Sequence, residues 1–227
     1  MVTIIDYGIG NLRSIEKAFQ AVGADVIRTD RPEVIVRAER VVLPGVGAFG
    51  ACADEIRRRG LEEPVREVIA AGKPFMGVCV GMQLLFEESD EMGRHAGLGI
   101  LPGRIVHFRA APATHPVDEP QSVSLGDAGA WDHDAARPLK VPHMGWNTIR
   151  IERPSALLDG IEQGAFFYFV HSYHARPDEP SDVLASTTYG AEFPAIVHRN
   201  NVYGVQFHPE KSQKNGLRLL RNFVQML

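Results

Sequence analysis

Short apolar runs alternate with segments of helical period in the first part of the chain. The apolar runs predict strands at 2–6, 24–29, 40–43 and 75–78. Apolar residues spaced three and four apart predict helices at 12–22, 48–58 and 64–71, and a further helix on which Met82, Leu85 and Phe86 share one face. Such alternation predicts a parallel sheet covered by helices on both faces, with a functional site outside the carboxyl ends of its strands.

The pattern changes after Gly99, where apolar stretches follow one another with little helix between them. These stretches predict strands at 104–108, 146–151, 166–170, 182–188, 195–198 and 202–207. Several of them are expected to be antiparallel, with Asn200-Asn201 as a hairpin turn. We therefore predict a single α/β domain over 1–227, with a central, mostly parallel sheet flanked by helices and an additional antiparallel portion toward the C-terminal end.

Residues 107–140 interrupt this pattern with prolines, glycines and acidic residues, and they lack a sustained period. Such a stretch predicts a long surface excursion from the domain. The histidines His107, His115 and His133 are irregularly spaced, so we interpret them as exposed side chains and predict no metal site.

Composition narrows the possible functions. The chain has 227 residues, 44% of them hydrophobic and 23% charged, which are ordinary values for a globular protein. A formal net charge of -4 argues against nucleic acid as the main partner. The first apolar run breaks at Asp6, no run reaches transmembrane length, and two cysteines form no disulfide pattern. We expect a soluble, cytoplasmic protein.

The five residues Gly77-Val78-Cys79-Val80-Gly81 stand between a predicted strand and a predicted helix. Glycines on both sides of a central nucleophile permit the sharp strand-to-helix turn called a nucleophile elbow. The dipole and free N–H groups at the start of the helix favour a thiolate at the apex. Most free cysteines are buried structural residues, and we interpret Cys52 in that way, but the glycine bracket indicates a nucleophile at Cys79.

The last apolar strand, at 202–207, ends at His208-Pro209-Glu210. A histidine and a carboxylate two residues apart project from the same side of an extended chain, so the pair supplies a base and a group that can orient it. A histidine alone is more often structural. Together, however, Cys79, His208 and Glu210 indicate a thiol hydrolase.

Two glycine-containing loops also follow predicted strands. Pro44-Gly45-Val46-Gly47 lies at the same sheet edge as the elbow, where its N–H groups could form half of an oxyanion hole, with the N–H of Val80 as the other half. On loop composition alone, an ordinary strand-to-helix turn is the better interpretation of this loop. Gly8-Ile9-Gly10 lacks the third glycine of a dinucleotide-binding loop, because position 13 is Arg13, so we interpret it as a tight turn and predict no cofactor.

Several segments carry a family resemblance. The elbow with the distal Phe207-His208-Pro209-Glu210 resembles class I, triad-type glutamine amidotransferases, which have a flavodoxin-like fold. Four further segments are similar to the glutaminase subunits of imidazole glycerol phosphate synthases, enzymes of histidine biosynthesis. They are 6–11 (DYGIGN), 44–49 (PGVGAF), 142–147 (PHMGWN) and 169–173 (FVHSY). The resemblance spans nearly the whole chain, although the elbow and the triad identify only the class.

The resemblance implies a role for each matching residue. Cys79 would be the nucleophile, His208 the general base and acid, and Glu210 the group that orients the imidazole. The N–H groups of Val46 and Val80 would form the oxyanion hole, which the Gly45–Val46 peptide would complete by turning when a partner docks. The residues holding the amino-acid end of glutamine would be Gly47, Gln83, His171, Ser172 and Tyr173.

The resemblance also implies a partner. A (β/α)8-barrel cyclase subunit would form a heterodimer with this chain, receive its ammonia, and make imidazole glycerol phosphate and aminoimidazole carboxamide ribonucleotide. The residues at the interface would be His143, Met144, Trp146 and Asn147. Trp146 suits an interface anchor, and a core tryptophan at a strand start is nearly as good an interpretation. The 107–140 excursion is longer than the family pattern predicts.

Other functions remain open at this level. The glutaminase of another biosynthetic complex would carry a different oxyanion loop, usually with paired glycines. A thiol peptidase of flavodoxin-like fold would not need Gln83 or the 142–147 segment. A catalytically silent regulatory subunit would not need all of Cys79, His208 and Glu210.

Overall fold

The computed structural model describes residues 1–108 and 139–225. Its strands are β1 (Val2–Ile5), β2 (Val26–Thr29), β3 (Val41–Gly45), β4 (Phe75–Cys79), β5 (Phe86–Ser89), β6 (His95–Ala96), β7 (Leu101–His107), β8 (His143–Thr148), β9 (Arg150–Ile151), β10 (Phe166–His171), β11 (Tyr173–Pro177), β12 (Val183–Tyr189), β13 (Ala191–Arg199) and β14 (Val202–Val205). Its α-helices are α1 (Leu12–Ala21), α2 (Pro32–Val36), α3 (Phe49–Arg58), α4 (Glu62–Ala70), α5 (Val80–Gln83) and α6 (Gln213–Gln225). Short 3-10 helices cover Ala156–Leu158, Pro180–Asp182 and Pro209–Lys211.

The main sheet has eight strands in the order β2-β1-β3-β4-β14-β13-β12-β9. The first five run parallel, and the last three continue the sheet with antiparallel pairing. This arrangement confirms the predicted α/β fold with a mostly parallel centre and an antiparallel portion built from the later strands. It also places the ends of β3, β4 and β14 side by side, where the elbow and the histidine segment meet.

Two smaller sheets lie beside the main one. The first pairs β8 with β10 in antiparallel register, so that His143 lies opposite His171 and Trp146 lies opposite Tyr168. The second has the order β11-β7-β5-β6. The strands therefore form one large sheet and two small ones, and both small sheets contribute residues to the site described below.

The hairpin predicted at Asn200-Asn201 is confirmed. Arg199 pairs with Val202 across the β13–β14 ladder, which leaves the two asparagines as the connecting turn. Asn200 has a φ of 54°, in the left-handed region that asparagine tolerates better than other residues with a side chain.

The helix predicted to carry Met82, Leu85 and Phe86 is wrong in its second half. Helix α5 ends at Gln83, and Phe86 begins strand β5, where it pairs in parallel with Leu101 of β7. An apolar run of this length suits either a helix face or a buried strand, and the pairing with β7 decides between them. Helix α2 and the strands β6 and β11 also form where no element was predicted.

Most of the predicted excursion, 109–138, lies outside the described residues, as do His115 and His133. His107 belongs to β7, and its ring meets that of Tyr173 edge-on, with the ring centroids 4.9 Å apart. The prediction of an exposed, uncommitted side chain is therefore wrong for His107. In the described ranges, no helix is both long and apolar enough to cross a membrane.

Candidate active site

Cys79 occupies a strained turn where β4 meets α5. Its φ of 56° and ψ of -115° lie outside the regions that residues with a side chain usually adopt. A Cβ added to Gly77 would lie 2.5 Å from the carbonyl oxygen of Gly81, and one added to Gly81 would overlap the carbonyl oxygen of Leu43. The two bracketing glycines are therefore required because backbone packs against backbone at the elbow.

His208 and Glu210 follow β14, the strand beside β4, and form a buried pair. Nδ1 of His208 lies 2.9 Å from Oε1 of Glu210, and their side chains are 5% and 3% exposed. His208 and Cys79 line the same cavity, and Cys79 is one of the groups that raise the pKa of His208. The structure thus brings together all three residues that the sequence indicated, in the order nucleophile, imidazole and carboxylate.

The pKa of His208 is raised to about 10. Burial alone would lower this pKa, but the hydrogen bonds and negative charges of Cys79 and Glu210 outweigh burial. His208 therefore holds a proton at neutral pH when Cys79 is a thiolate. An imidazolium beside a thiolate is an activated nucleophile with its proton donor in place.

A cavity of about 380 Å³ opens in front of the triad. Its walls include each residue that the resemblance assigned to the oxyanion hole or to substrate binding: Val46, Gly47, Val80, Gln83, His171, Ser172 and Tyr173. Cys79 and His208 line it as well. The described residues therefore enclose a space beside the nucleophile of the size that a small polar substrate needs.

The loop after β3 lies beside the nucleophile, since Gly45 at the end of β3 pairs with Cys79 at the end of β4. The hydroxyl of Tyr7 donates to the carbonyl oxygen of Pro44 at 2.8 Å, and the thiol of Cys52 donates to that of Val46 at 3.5 Å. Burial raises the pKa of Tyr7 and of Cys52, so both keep the protons that they donate. These bonds fix the carbonyl groups on either side of the Gly45–Val46 peptide.

The side-chain nitrogens of His171 and Gln83 are engaged in hydrogen bonds within the protein. Nδ1 of His171 lies 2.8 Å from the carbonyl oxygen of Tyr173, and Nε2 lies 3.0 Å from Nδ1 of His143. Nε2 of Gln83 donates to the same Tyr173 carbonyl at 3.0 Å and to Oε1 of Gln206 at 3.1 Å. Both residues therefore hold the 171–173 segment in place, and their nitrogens are not free for a ligand.

Sequence reasoning missed several residues of the site. Glu91 lines the cavity, and its Oε2 accepts a hydrogen bond from the N–H of Phe49 at 2.7 Å, at the start of α3. Lys211 also lines the cavity, and its position directly after Glu210 was a usable signal. Gln206 is fully buried, with its amide nitrogen 4.0 Å from the sulfur of the nucleophile. A lone glutamine in an apolar strand was the signal for that residue.

The residues predicted at a partner interface divide between the surface and the interior. Met144 and Trp146 are 62% and 46% exposed on β8, and Phe166 of the paired strand β10 is 52% exposed. His143 and Asn147 project from the other side of β8. His143 is buried between aromatic rings, so its side chain supports the outward face from behind and does not lie on it.

Comparison with known proteins identifies the family. A model of the class-I glutamine amidotransferases matches residues 3–227. The imidazole glycerol phosphate synthase subunit HisH of Salinibacter ruber is 57% identical over 224 residues, which cover 99% of this chain and 94% of that protein. The protein of the same name from Syntrophotalea carbinolica is 47% identical over 226 residues, which cover 100% of both chains.

Solved structures agree on the fold. A crystal structure of a glutamine amidotransferase superposes with a TM-score of 0.68 at 18% sequence identity, covering 99% of this chain and 97% of that chain. A structure of PurLQS from Thermotoga maritima gives a TM-score of 0.66 at 15% identity, covering 98% of this chain and 96% of that chain. At such identities the likeness concerns the fold alone.

Proposed function

This chain belongs to the class-I glutamine amidotransferase family, and from that membership we propose that it hydrolyses glutamine to glutamate and ammonia. The single observation that carries the proposal is that Cys79 and His208 line one cavity while Glu210 holds the far nitrogen of His208. We further propose that it acts as the glutaminase subunit of an imidazole glycerol phosphate synthase, because relatives of that name match it along its whole length.

The proposed chemistry begins with attack by the thiolate of Cys79 on the side-chain carbonyl carbon of glutamine. His208 gives its proton to the amide nitrogen of the tetrahedral intermediate, the C–N bond breaks, and ammonia leaves behind a thioester. A water molecule then gives a proton to His208 and adds its oxygen to the thioester, which releases glutamate and restores the thiolate. Glu210 keeps one proton on Nδ1 of His208 and stabilises the imidazolium.

Two backbone N–H groups would stabilise the negative oxygen of each intermediate. One belongs to Val80, the residue directly after the nucleophile at the start of α5. The other belongs to Val46, whose peptide bond with Gly45 lies between the two anchored carbonyl groups. A missing donor of this kind reduces turnover by a factor of about 10²–10³. The orientation of the Gly45–Val46 peptide would therefore control the rate.

The amino-acid end of glutamine carries an ammonium and a carboxylate. Glu91 is suited to the ammonium, because one of its carboxylate oxygens is engaged with the start of α3 and the side chain still borders the cavity. Gly47, Ser172 and Tyr173 border the same space, and we propose that their backbone N–H groups bind the carboxylate. Gln83 would act by fixing the carbonyl of Tyr173.

We propose that the outward face of β8 and β10 binds the cyclase subunit. This face, formed by Met144, Trp146 and Phe166, is apolar and exposed, as is typical of a protein interface. Lys211 links it to the cavity, since this residue lines the cavity and its Nζ lies 5.7 Å from the ring centroid of Tyr168 on β10. Ammonia released at Cys79 would pass toward this face and into the (β/α)8 barrel, where it would be used to make imidazole glycerol phosphate and aminoimidazole carboxamide ribonucleotide.

The test is glutamine turnover by the purified chain, alone and with the cyclase subunit and its nucleotide substrate. We expect slow glutamate formation by the isolated chain, faster formation in the loaded complex, and the imidazole product only when both subunits are present. Glutamate formation with no effect of the cyclase would contradict the proposed complex and favour another amidotransferase system. No glutamate under any of these conditions would indicate a silent regulatory subunit.

A further inference from the structure

A chain of hydrogen bonds runs from β8 to the cavity through two buried histidines. The amide nitrogen of Asn147 lies 3.3 Å from Nε2 of His143, and Nδ1 of His143 lies 3.0 Å from Nε2 of His171. Nδ1 of His171 lies 2.8 Å from the carbonyl oxygen of Tyr173. Gly145, between Asn147 and His143 on the inner side of the strand, has no side chain to separate them.

The direction of every bond in this chain is fixed by its ends. Oδ1 of Asn147 accepts from the N–H of Thr148 at 2.8 Å, so its amide nitrogen must donate, to the carbonyl of Thr188 at 2.9 Å and to Nε2 of His143. The proton of His143 then lies on Nδ1 and is donated to Nε2 of His171. The proton of His171 lies on Nδ1 and is donated to the Tyr173 carbonyl, which can only accept.

Both imidazoles are neutral in this arrangement. Burial lowers the pKa of His143 to about 4 and lowers that of His171 well below its usual range. The ring of His143 is stacked between those of Phe169 and Tyr189, with centroids 5.0 Å and 4.1 Å away. Each ring therefore has one donor and one acceptor, and both are used.

We propose that His143 is a positioning residue. It couples the position of strand β8, whose outward face binds the partner, to the position of the substrate-binding segment 171–173. This inference rests on the proposed function, which assigns those roles to the face and the segment. Trp146 and Met144 project from the strand that carries His143, on its opposite side. A partner that moves this strand must also move His171 or leave buried nitrogens without a partner.

The hydrogen-bond chain ends at the Tyr173 carbonyl, which is linked to residues beside the nucleophile. It accepts from His171 and from Gln83, and Gln83 in turn is bonded to Gln206, whose amide nitrogen lies 4.0 Å from the sulfur of Cys79. A shift of the carbonyl therefore changes the wall that would hold the amino-acid end of glutamine. The N–H of His208 donates to the carbonyl oxygen of Tyr168 on β10 at 2.9 Å, so the triad also contacts this sheet. The side-chain bonds of His143, however, lead to the Tyr173 carbonyl, so their loss should fall on substrate binding.

The test compares three variants in the complex with the cyclase. His143→Phe keeps the aromatic packing and removes both hydrogen bonds. His143→Asn keeps a donor near the position of Nδ1 and so keeps the bond to His171. Tyr189→Leu removes a stacked ring, together with the bond from its hydroxyl to the carbonyl oxygen of Lys140, and leaves the hydrogen bonds of His143 and His171, so it is the control for packing.

For His143→Phe we expect the KM for glutamine to rise about five- to tenfold, because of the two lost bonds only the one to His171 leads to the substrate-binding segment, while kcat changes less. His143→Asn should restore a KM within about twofold of the original, as should Tyr189→Leu even if its Tm falls. The rate at which iodoacetamide alkylates Cys79 should stay the same in all variants, because this reagent needs no amino-acid subsite. An unchanged KM in His143→Phe, or an equal rise in Tyr189→Leu, would overturn the inference.

Protection of Cys79 from iodoacetamide by glutamate separates this inference from the proposed function, because it measures ligand binding without turnover. If the original protein is protected but makes no ammonia, the proposed function fails and the role of His143 can still be measured. Weaker protection in His143→Phe than in His143→Asn would then support the inference. Equal protection in the two variants would overturn it.

Discussion

The thiol of Cys52 donates a hydrogen bond to the carbonyl oxygen of Val46, with the sulfur and oxygen 3.5 Å apart. Tyr7 makes the equivalent bond to Pro44 on the other side, so a single peptide, Gly45–Val46, lies between two fixed carbonyl groups. The Gly45–Val46 peptide can therefore rotate, and so redirect the N–H of Val46, while the rest of the loop stays in place. Cys52 is thus a structural residue with a second effect, because it limits where the loop can turn.

Removing the thiol should loosen this limit. For Cys52→Ala we expect kcat for glutamine in the complex to fall about two- to tenfold with KM little changed, since the net value of one hydrogen bond is about 0.5–1.5 kcal/mol. Cys52→Ser keeps a donor of similar size and should retain most of the activity. Steady-state kinetics of the two variants is the measurement, and equal losses in both would show that the sulfur acts by packing.

The site has no room for a side chain at Gly45. A Cβ at this position would lie 2.6 Å from the backbone nitrogen of Gly81 and 2.9 Å from Cβ of Val80, so Gly45→Ala should displace the elbow itself. We expect this variant to unfold at a lower temperature and to lose most of its reactivity toward iodoacetamide at Cys79. A stable Gly45→Ala protein with normal thiol reactivity would contradict this expectation.

Gly47 offers the matched comparison in the same loop. Among the residues that the structure describes, none has an atom within 4 Å of a Cβ added there, chain neighbours aside. The φ of 89° is left-handed, so Gly47→Ala should cost about 1–2 kcal/mol through backbone strain. Thiol reactivity at Cys79 should survive in Gly47→Ala while glutamine turnover falls. Thermal unfolding and alkylation rates of the two variants, measured side by side, separate contact from strain.

The sequence predicted the parts of the site that depend on local chemistry. The glycine bracket around Cys79 and the spacing of His208 and Glu210 are short-range signals, and the structure places all three residues together. The start of β5 at Phe86 was not predicted, because it depends on pairing with Leu101. When the secondary structure of a residue depends on pairing with a strand distant in sequence, the local pattern around it does not predict that structure.

The orientation of the histidines was also beyond the sequence. His143 and His171 lie opposite each other only because β8 pairs with β10 in one register, and the intervening chain is long. Aromatic rings from β10 and β12 then bury His143. The 142–147 segment was predicted to form a partner surface as a whole. Alternate residues of a strand face opposite ways, so only part of it is exposed and His143 is buried.

The proposed division of labour predicts a bypass. Cys79→Ala should abolish synthesis that depends on glutamine and leave synthesis from added ammonia by the cyclase complex largely intact, because this chain would supply only ammonia. The measurement is formation of the imidazole product with each nitrogen source. Loss of both activities would mean that Cys79 has a structural role in the complex.

The His208–Glu210 pair predicts a difference between two variants. His208→Asn should be about as damaging as loss of the nucleophile, because members of a triad act as a unit. Glu210→Gln should be milder, since the base remains and only its orientation and charge stabilisation are impaired. Acyl-enzyme formation rates provide the measurement, and equal losses would show that the carboxylate is as essential as the imidazole.

The same pair predicts a dependence of stability on pH. The raised pKa of His208 means that its proton stabilises the folded state fully below about pH 6.5, the ordinary histidine value, and that this contribution disappears as pH rises toward about 10. Glu210→Gln removes one cause of the raised pKa. The variant should therefore be less stable than the original by about 3 kcal/mol near pH 6, and the gap should shrink toward pH 10. Urea unfolding across this range tests the sign, and a gap that grows with pH would contradict it.

The exposed apolar face makes the last prediction. Trp146 is 46% exposed and meets Tyr168 edge-on, with ring centroids 6.0 Å apart, so a large aromatic surface is already in place for a partner. Tryptophans at the centre of an interface often contribute 2 kcal/mol or more, so Trp146→Ala should weaken binding of the cyclase roughly thirtyfold or more. Met92→Ala is the control, because Met92 is 90% exposed and lies outside the β8–β10 face. Calorimetric titration with the cyclase gives both affinities, and the alkylation rate of Cys79 in the free chain should be unchanged in both variants. An equal affinity for Trp146→Ala and Met92→Ala would place the interface elsewhere on the molecule.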